Sequence, residues 1–168
     1  LPDGRNIQTA RRGEVRLHDP VAGTTHVIAN FGDTSLPTTL QVYTNSEDGL
    51  YGPGLDNNFE QNKWVYLFYS PQTVQDVKLS DGSVVTQTTP TTNPPASAPS
   101  KSAWDPWVGY FQLSRFKFVE DANGARLDLS TEQQILKVPM NRQECCHVAG
   151  DIDFDKHGNM WLVTGDDT

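Results

Sequence analysis

One segment of this chain occurs twice. Asp56-Asn57-Asn58-Phe59-Glu60-Gln61-Asn62-Lys63-Trp64-Val65-Tyr66-Leu67 returns as Asp151-Ile152-Asp153-Phe154-Asp155-Lys156-His157-Gly158-Asn159-Met160-Trp161-Leu162. Asp56 falls on Asp151, Phe59 on Phe154 and Tyr66 on Trp161, at one spacing and without a gap. A fainter copy opens the chain at Pro2-Asp3-Gly4-Arg5-Asn6-Ile7-Gln8-Thr9. Each copy is a polar turn followed by a strand of bulky residues. Self-similarity at a long period marks a fold assembled from repeated supersecondary units.

The units are built from strands. Short runs of Val, Ile, Tyr, Phe, Trp and Thr are punctuated by Gly, Pro, Asn and Asp, and no stretch holds a helical apolar period. Ser130–Gln134 has room for one helical turn at most. Two strands follow each repeated one: Glu14–His18 and Thr25–Asn30 in the first unit, Gly109–Val119 and Ile135–Val138 in the second. Turns at Asp19–Gly23 and Asp121–Ala125 join them. Repeating units of about four antiparallel strands are the blades of a β-propeller. The predicted fold class is therefore all-β, one propeller domain over residues 1–168.

An insertion at about 71–107 makes the spacing of the units unequal. Val74–Leu79 and Ser83–Thr88 flank Asp81-Gly82, a hairpin turn. Beyond it, Thr86–Ser100 holds four prolines, five threonines and no charge, too little apolar area to fold alone. It reads as a lid or partner arm, or as a tolerated surface insertion; the low cost of loop length favours the second. The strands account for a partial blade, a full blade and the start of a third, against the 4–8 blades of a closed propeller. The expectation is a segment of a larger propeller, with its remaining blades in the same chain or in an associated piece.

Composition removes several classes of partner. Lys and Arg number 13 against 21 Asp and Glu, a net charge of -8, which argues against nucleic acid or an anionic membrane surface. No apolar run approaches the length of a membrane-spanning helix.

The chemistry-bearing residues lie where inner strands begin. His147 immediately precedes the innermost strand of one blade, at the end that faces a propeller's channel, and an imidazole there can act as a general base. Glu47 holds the equivalent place one blade earlier, where its carboxylate can accept hydrogen bonds from a polyol. Asp166 and Asp167 end a strand; they are solvated acids or oxygen ligands for a hard cation. Asp151, Asp153 and Asp155 alternate with Ile152 and Phe154, one polar strand face leading into a turn. Cys145 and Cys146 are adjacent, a poor zinc motif. Two thiols on opposite faces of a strand and a vicinal disulfide beside His147 both remain open.

These segments together resemble the soluble glucose/sorbosone dehydrogenases. Glu47-Asp48-Gly49-Leu50-Tyr51-Gly52-Pro53-Gly54-Leu55-Asp56-Asn57-Asn58-Phe59 is similar to that family's "(Q/E)xGLLGxAxxPxF". His147-Val148-Ala149-Gly150-Asp151-Ile152-Asp153-Phe154, continuing through Gly158 to Thr164-Gly165-Asp166, is similar to its "HxxGxIxFxxDGxLYVxxGD". Leu1-Pro2-Asp3-Gly4-Arg5 with Gly13-Glu14-Val15-Arg16-Leu17 resembles its first blade. The resemblance implies a six-bladed propeller that uses pyrroloquinoline quinone (PQQ) and calcium to oxidise the anomeric carbon of an aldose to a lactone. It makes His147 the base and sets Glu47 at a substrate-contacting position. Two departures stand out: Cys146 where the best-known members have Asp, beside the sugar, and Asp151 where many have Arg. The Glu-Cys-Cys-His form resembles a subgroup in large secreted bacterial proteins, which implies a secreted or periplasmic setting. The family's calcium and quinone ligands lie mostly in later blades, so the resemblance assigns no metal ligand or cofactor-binding residue in this chain and implies that these residues alone are inactive. Two alternatives are a metal-dependent, lactonase-type propeller hydrolase and a non-catalytic propeller that binds carbohydrate or protein.

Overall fold

The structure is a computed structural model and describes residues 1–97, 99–142 and 147–166. Strands β1 (Asn6–Thr9), β2 (Glu14–Asp19) and β3 (Thr24–Asn30) form an antiparallel meander. A second sheet contains β4 (Leu50–Leu55), β5 (Trp64–Tyr69), β8 (Val108–Asp121) and β9 (Gly124–Asn141), in the order β4-β5-β8-β9. Strands β10 (Gly150–Phe154) and β11 (Met160–Thr164) pair as the third. These are three successive propeller blades, the middle one with all four strands. Between β5 and β8 the chain makes a hairpin of β6 (Thr73–Lys78) and β7 (Val84–Thr88), then a 3₁₀ helix at Lys101–Trp107.

Period-two patterning explains how the blades stack. Strand β5 is Trp-Val-Tyr-Leu-Phe-Tyr, apolar on both faces because it has a sheet on each side. Val65, Leu67 and Tyr69 point into a core shared with the first sheet, among Val15, Ile28 and Phe31. Tyr66 and Phe68 point the other way, into a core shared with Val148 and Ile152. Phe31 meets Tyr69 and Phe116 at ring-centroid distances of 5.2 and 5.4 Å. Phe68 stacks on Phe111 at 4.9 Å.

Three local features differ from the sequence-based expectation. The turn after β4 contains a four-residue helix, α1 (Phe59–Asn62). Asp56 organises it, accepting from the Asn58 backbone N–H (2.9 Å), the Asn62 amide (2.8 Å) and the Tyr66 hydroxyl (3.0 Å). The corresponding turn between β10 and β11 is tighter, and Asp155, not Asp151, opens it. The two copies therefore align without a gap only beyond the turn, where Tyr66 and Trp161 each stand one residue past the pair that closes it. Ser130–Gln134 is extended within the 18-residue β9 instead of helical. The outermost strand is half-exposed, so its polar residues carry little desolvation cost.

Candidate functional site

Backbone register makes Glu47 and His147 equivalent. Leu50 opens its blade opposite Tyr69, as Gly150 does opposite Thr164. One residue earlier, the Gly49 carbonyl accepts from the Ser70 N–H at 3.0 Å, and the Ala149 carbonyl from the Gly165 N–H at 3.2 Å. Glu47 and His147 each lie two residues before that bond, on adjacent blades.

The structure brings them into contact. The His147 backbone N–H donates to Glu47 Oε2 at 2.8 Å. His147 has φ +59°, in the left-handed region that a non-glycine residue occupies at a cost, and the carboxylate secures that conformation by taking the amide. The imidazole Nδ1 lies 3.1 Å from Asp166 Oδ1. An ionised carboxylate only accepts, so Nδ1 donates and Nε2 carries the basic lone pair. Both side chains are largely open to solvent, 64% and 66% exposed. Gly165 permits the approach: a Cβ there would stand 1.5 Å from the His147 carbonyl oxygen.

The loop that carries Glu47 is pinned from several sides. Arg11, from the turn after β1, donates through Nη1 to the carbonyls of Thr44 (3.2 Å), Ser46 (2.8 Å) and Asp48 (2.8 Å). The Tyr51 hydroxyl donates to the Glu47 carbonyl. Asp48 is buried and its Oδ1 accepts from the Ser70 hydroxyl at 2.6 Å. Sequence reading singled out Glu47 and His147 but did not find Arg11 or Asp48 as supports, and it read Asp166 as a strand-end acid with no link to the imidazole. Cys145, Cys146 and Asp167 lie outside the described residues.

The arrangement suits a proton acceptor that faces a neutral, hydroxyl-rich ligand. The Asp166 carboxylate beside the ring stabilises the imidazolium formed on proton uptake, and carboxylates such as Asp166 and Glu47 accept hydrogen bonds from hydroxyls. They do not suit the carboxylate groups of PQQ, which need cationic partners. Among the described residues, no group of three or more His, Cys, Asp or Glu side chains is placed to hold a metal ion. The described residues thus fit the sugar-facing part of such a site and do not fit its quinone or calcium.

Antiparallel sheets stacked face to face, the middle one four-stranded, with polar groups where the inner strands begin, define the class: a β-propeller with a candidate site at the mouths of its blades. The model of the glucose/sorbosone dehydrogenase family matches residues 1–168, and the chain belongs to that family. A search of curated proteins returns no match to it.

Proposed function

We propose that this chain supplies the base and the sugar-facing groups of a quinoprotein sugar dehydrogenase that oxidises the anomeric carbon of an aldose to a lactone. One observation carries the reading. A histidine at a blade mouth is held by its amide to Glu47 and by its ring to Asp166, with Nε2 as the basic nitrogen.

His147 Nε2 takes the proton of the anomeric hydroxyl. Asp166 fixes the ring tautomer and stabilises the imidazolium. The C1 hydrogen departs as hydride with both electrons, leaving the C1–O double bond of the lactone. The chemistry the family's calcium-supported PQQ supplies when bound is acceptance of that hydride. Residues outside those described here, in further blades, would hold it. A secreted or periplasmic location, and a bacterial source, belong to the same reading.

The test is dye-linked oxidation of a panel of aldoses by protein reconstituted with PQQ and calcium. His147→Asn is expected to lower kcat by about 10²–10⁴ with an unchanged melting temperature, the usual range for a general base. Asp166→Asn is expected to lower kcat less and to displace the pH–rate profile. Equal turnover by wild type and His147→Asn would overturn the assignment. A second reading, a propeller that binds carbohydrate without turnover, draws on the Glu47 and Asp166 carboxylates that contact His147. It predicts saturable sugar binding with no dye reduction.

A further inference from the structure

Arg142 directly follows β9, with its side chain fully buried, at 0% exposure. Burial pushes its pKa down to about 10, against the opposing pull of Asp48. A buried guanidinium is costly unless its surroundings compensate it, and here its partners among the described residues belong to two places, the loop that carries Glu47 and the insertion. Nε lies 3.7 Å from Asp48 Oδ1, the residue after Glu47. Nη1 donates to the Thr89 hydroxyl and Nη2 to the Tyr110 carbonyl, the latter at 3.0 Å. The Arg142 backbone N–H donates to the Trp107 carbonyl at 3.1 Å. The guanidinium carbon sits 4.8 Å from the centre of the Tyr43 ring. Gly109 leaves it room, since a Cβ there would stand 2.7 Å from Nε.

Ser70, Thr89 and the stretch Trp107–Tyr110 mark the exit, far side and return of the insertion between β5 and β8. Ser70 meets the same Asp48 oxygen that Arg142 approaches. Both ends of the insertion therefore close on one buried pair next to Glu47, and Glu47 in turn holds the His147 amide. A tolerated surface loop has no need of a buried cation at its root.

We propose that Arg142 is a positioning residue that couples the insertion, through Asp48 and Glu47, to the backbone of His147. The proposal takes as its object the site assigned under the proposed function, but it is tested without substrate.

The probe is amide hydrogen exchange followed by NMR in Thr89→Val, which removes the hydroxyl that Arg142 meets and leaves Arg142 and every proposed site residue in place. The expected result is exchange of the His147 amide faster by about threefold or more, part of the roughly tenfold that loss of one charge-assisted hydrogen bond would give if it were transmitted in full. The Leu67 and Phe68 amides in β5 should be unchanged, which separates local release from global destabilisation. Arg142→Lys, which keeps the charge and loses the fork, should do the same. A smaller change at His147 in folded Thr89→Val protein overturns the coupling, as does acceleration that β5 shares equally. Wild-type protein that oxidises no sugar would defeat the proposed function and leave the exchange result standing. Turnover with unchanged exchange would do the reverse.

Discussion

Glu47 directs one carboxylate oxygen at the His147 amide, so its first task is to hold a strained backbone in place. The sequence equivalence of the two residues is visible, but their contact is not; it exists because adjacent blades converge where their inner strands begin. The geometry separates shape from charge. Glu47→Gln keeps an oxygen acceptor at the same reach, whereas Glu47→Ala leaves the His147 N–H to water. Glu47→Gln should melt within about 0.5 kcal/mol of wild type, as exposed substitutions usually do, and should retain most of its kcat. Glu47→Ala should lower kcat severalfold and speed exchange at His147. Thermal denaturation and steady-state kinetics on the pair check this. If Gln and Ala lose activity alike, the charge of Glu47 acts on the sugar and the backbone contact is incidental. Asp166 was hidden from sequence reading for a related reason. Its place beside the ring depends on the Gly165–Ala149 bond and on Gly165 having no side chain, and neither is encoded in the spacing of the acids.

Strand positions are the most legible part of this chain, because alternating apolar residues and turn chemistry are local signals. Strand β5 shows where that legibility stops: six bulky residues announce a strand, but only the stacked sheets reveal which belong to which core. Helix α1 is too short to have a period, and it hid a difference in turn length inside an apparently gapless repeat. The tighter turn between β10 and β11 depends on Asp155. Its carboxyl is pulled down to about 2, first by the Asn159 side-chain amide at 2.9 Å, with the His157 and Asn159 backbone N–H groups and the Trp161 indole adding to it. A carboxyl pKa depressed by folding contributes stability above the ordinary value of 3.8, and that contribution is lost as pH falls towards 2. The β10–β11 hairpin should therefore loosen between those values. Trp161 fluorescence across an acid titration should report it, and Asp155→Asn should flatten that step. A Trp161 signal that moves only with global unfolding would show that the turn has no separate acid sensitivity.

At the scale of the whole molecule, the blades are equivalent in register but not in surroundings. Tyr66 and Phe68 are buried, 6% and 0% exposed, because β10 packs over them. Trp161 and Val163 occupy the matching positions of the next blade and are each 63% exposed. The repeat thus marks them as a packing face, one that in a propeller receives the inner strand of another blade. The propeller class was legible from the sequence because each blade repeats the same turn and strand. Arg142 was not, since a lone arginine at a strand end reads as a solvated charge until the insertion closes over it. The equivalence has a consequence for solution behaviour. An uncovered Trp–Val sheet face favours association, so a polypeptide of residues 1–168 should self-associate with rising concentration. Val163→Lys places a charge on that face and leaves the Trp161–Asp155 contact alone, so it should shift sedimentation towards the monomer with the near-ultraviolet spectrum of the inner cores unchanged. If the parent polypeptide stays monomeric at high concentration, the Trp161–Val163 face is not a packing surface, and the blade equivalence ends at the backbone.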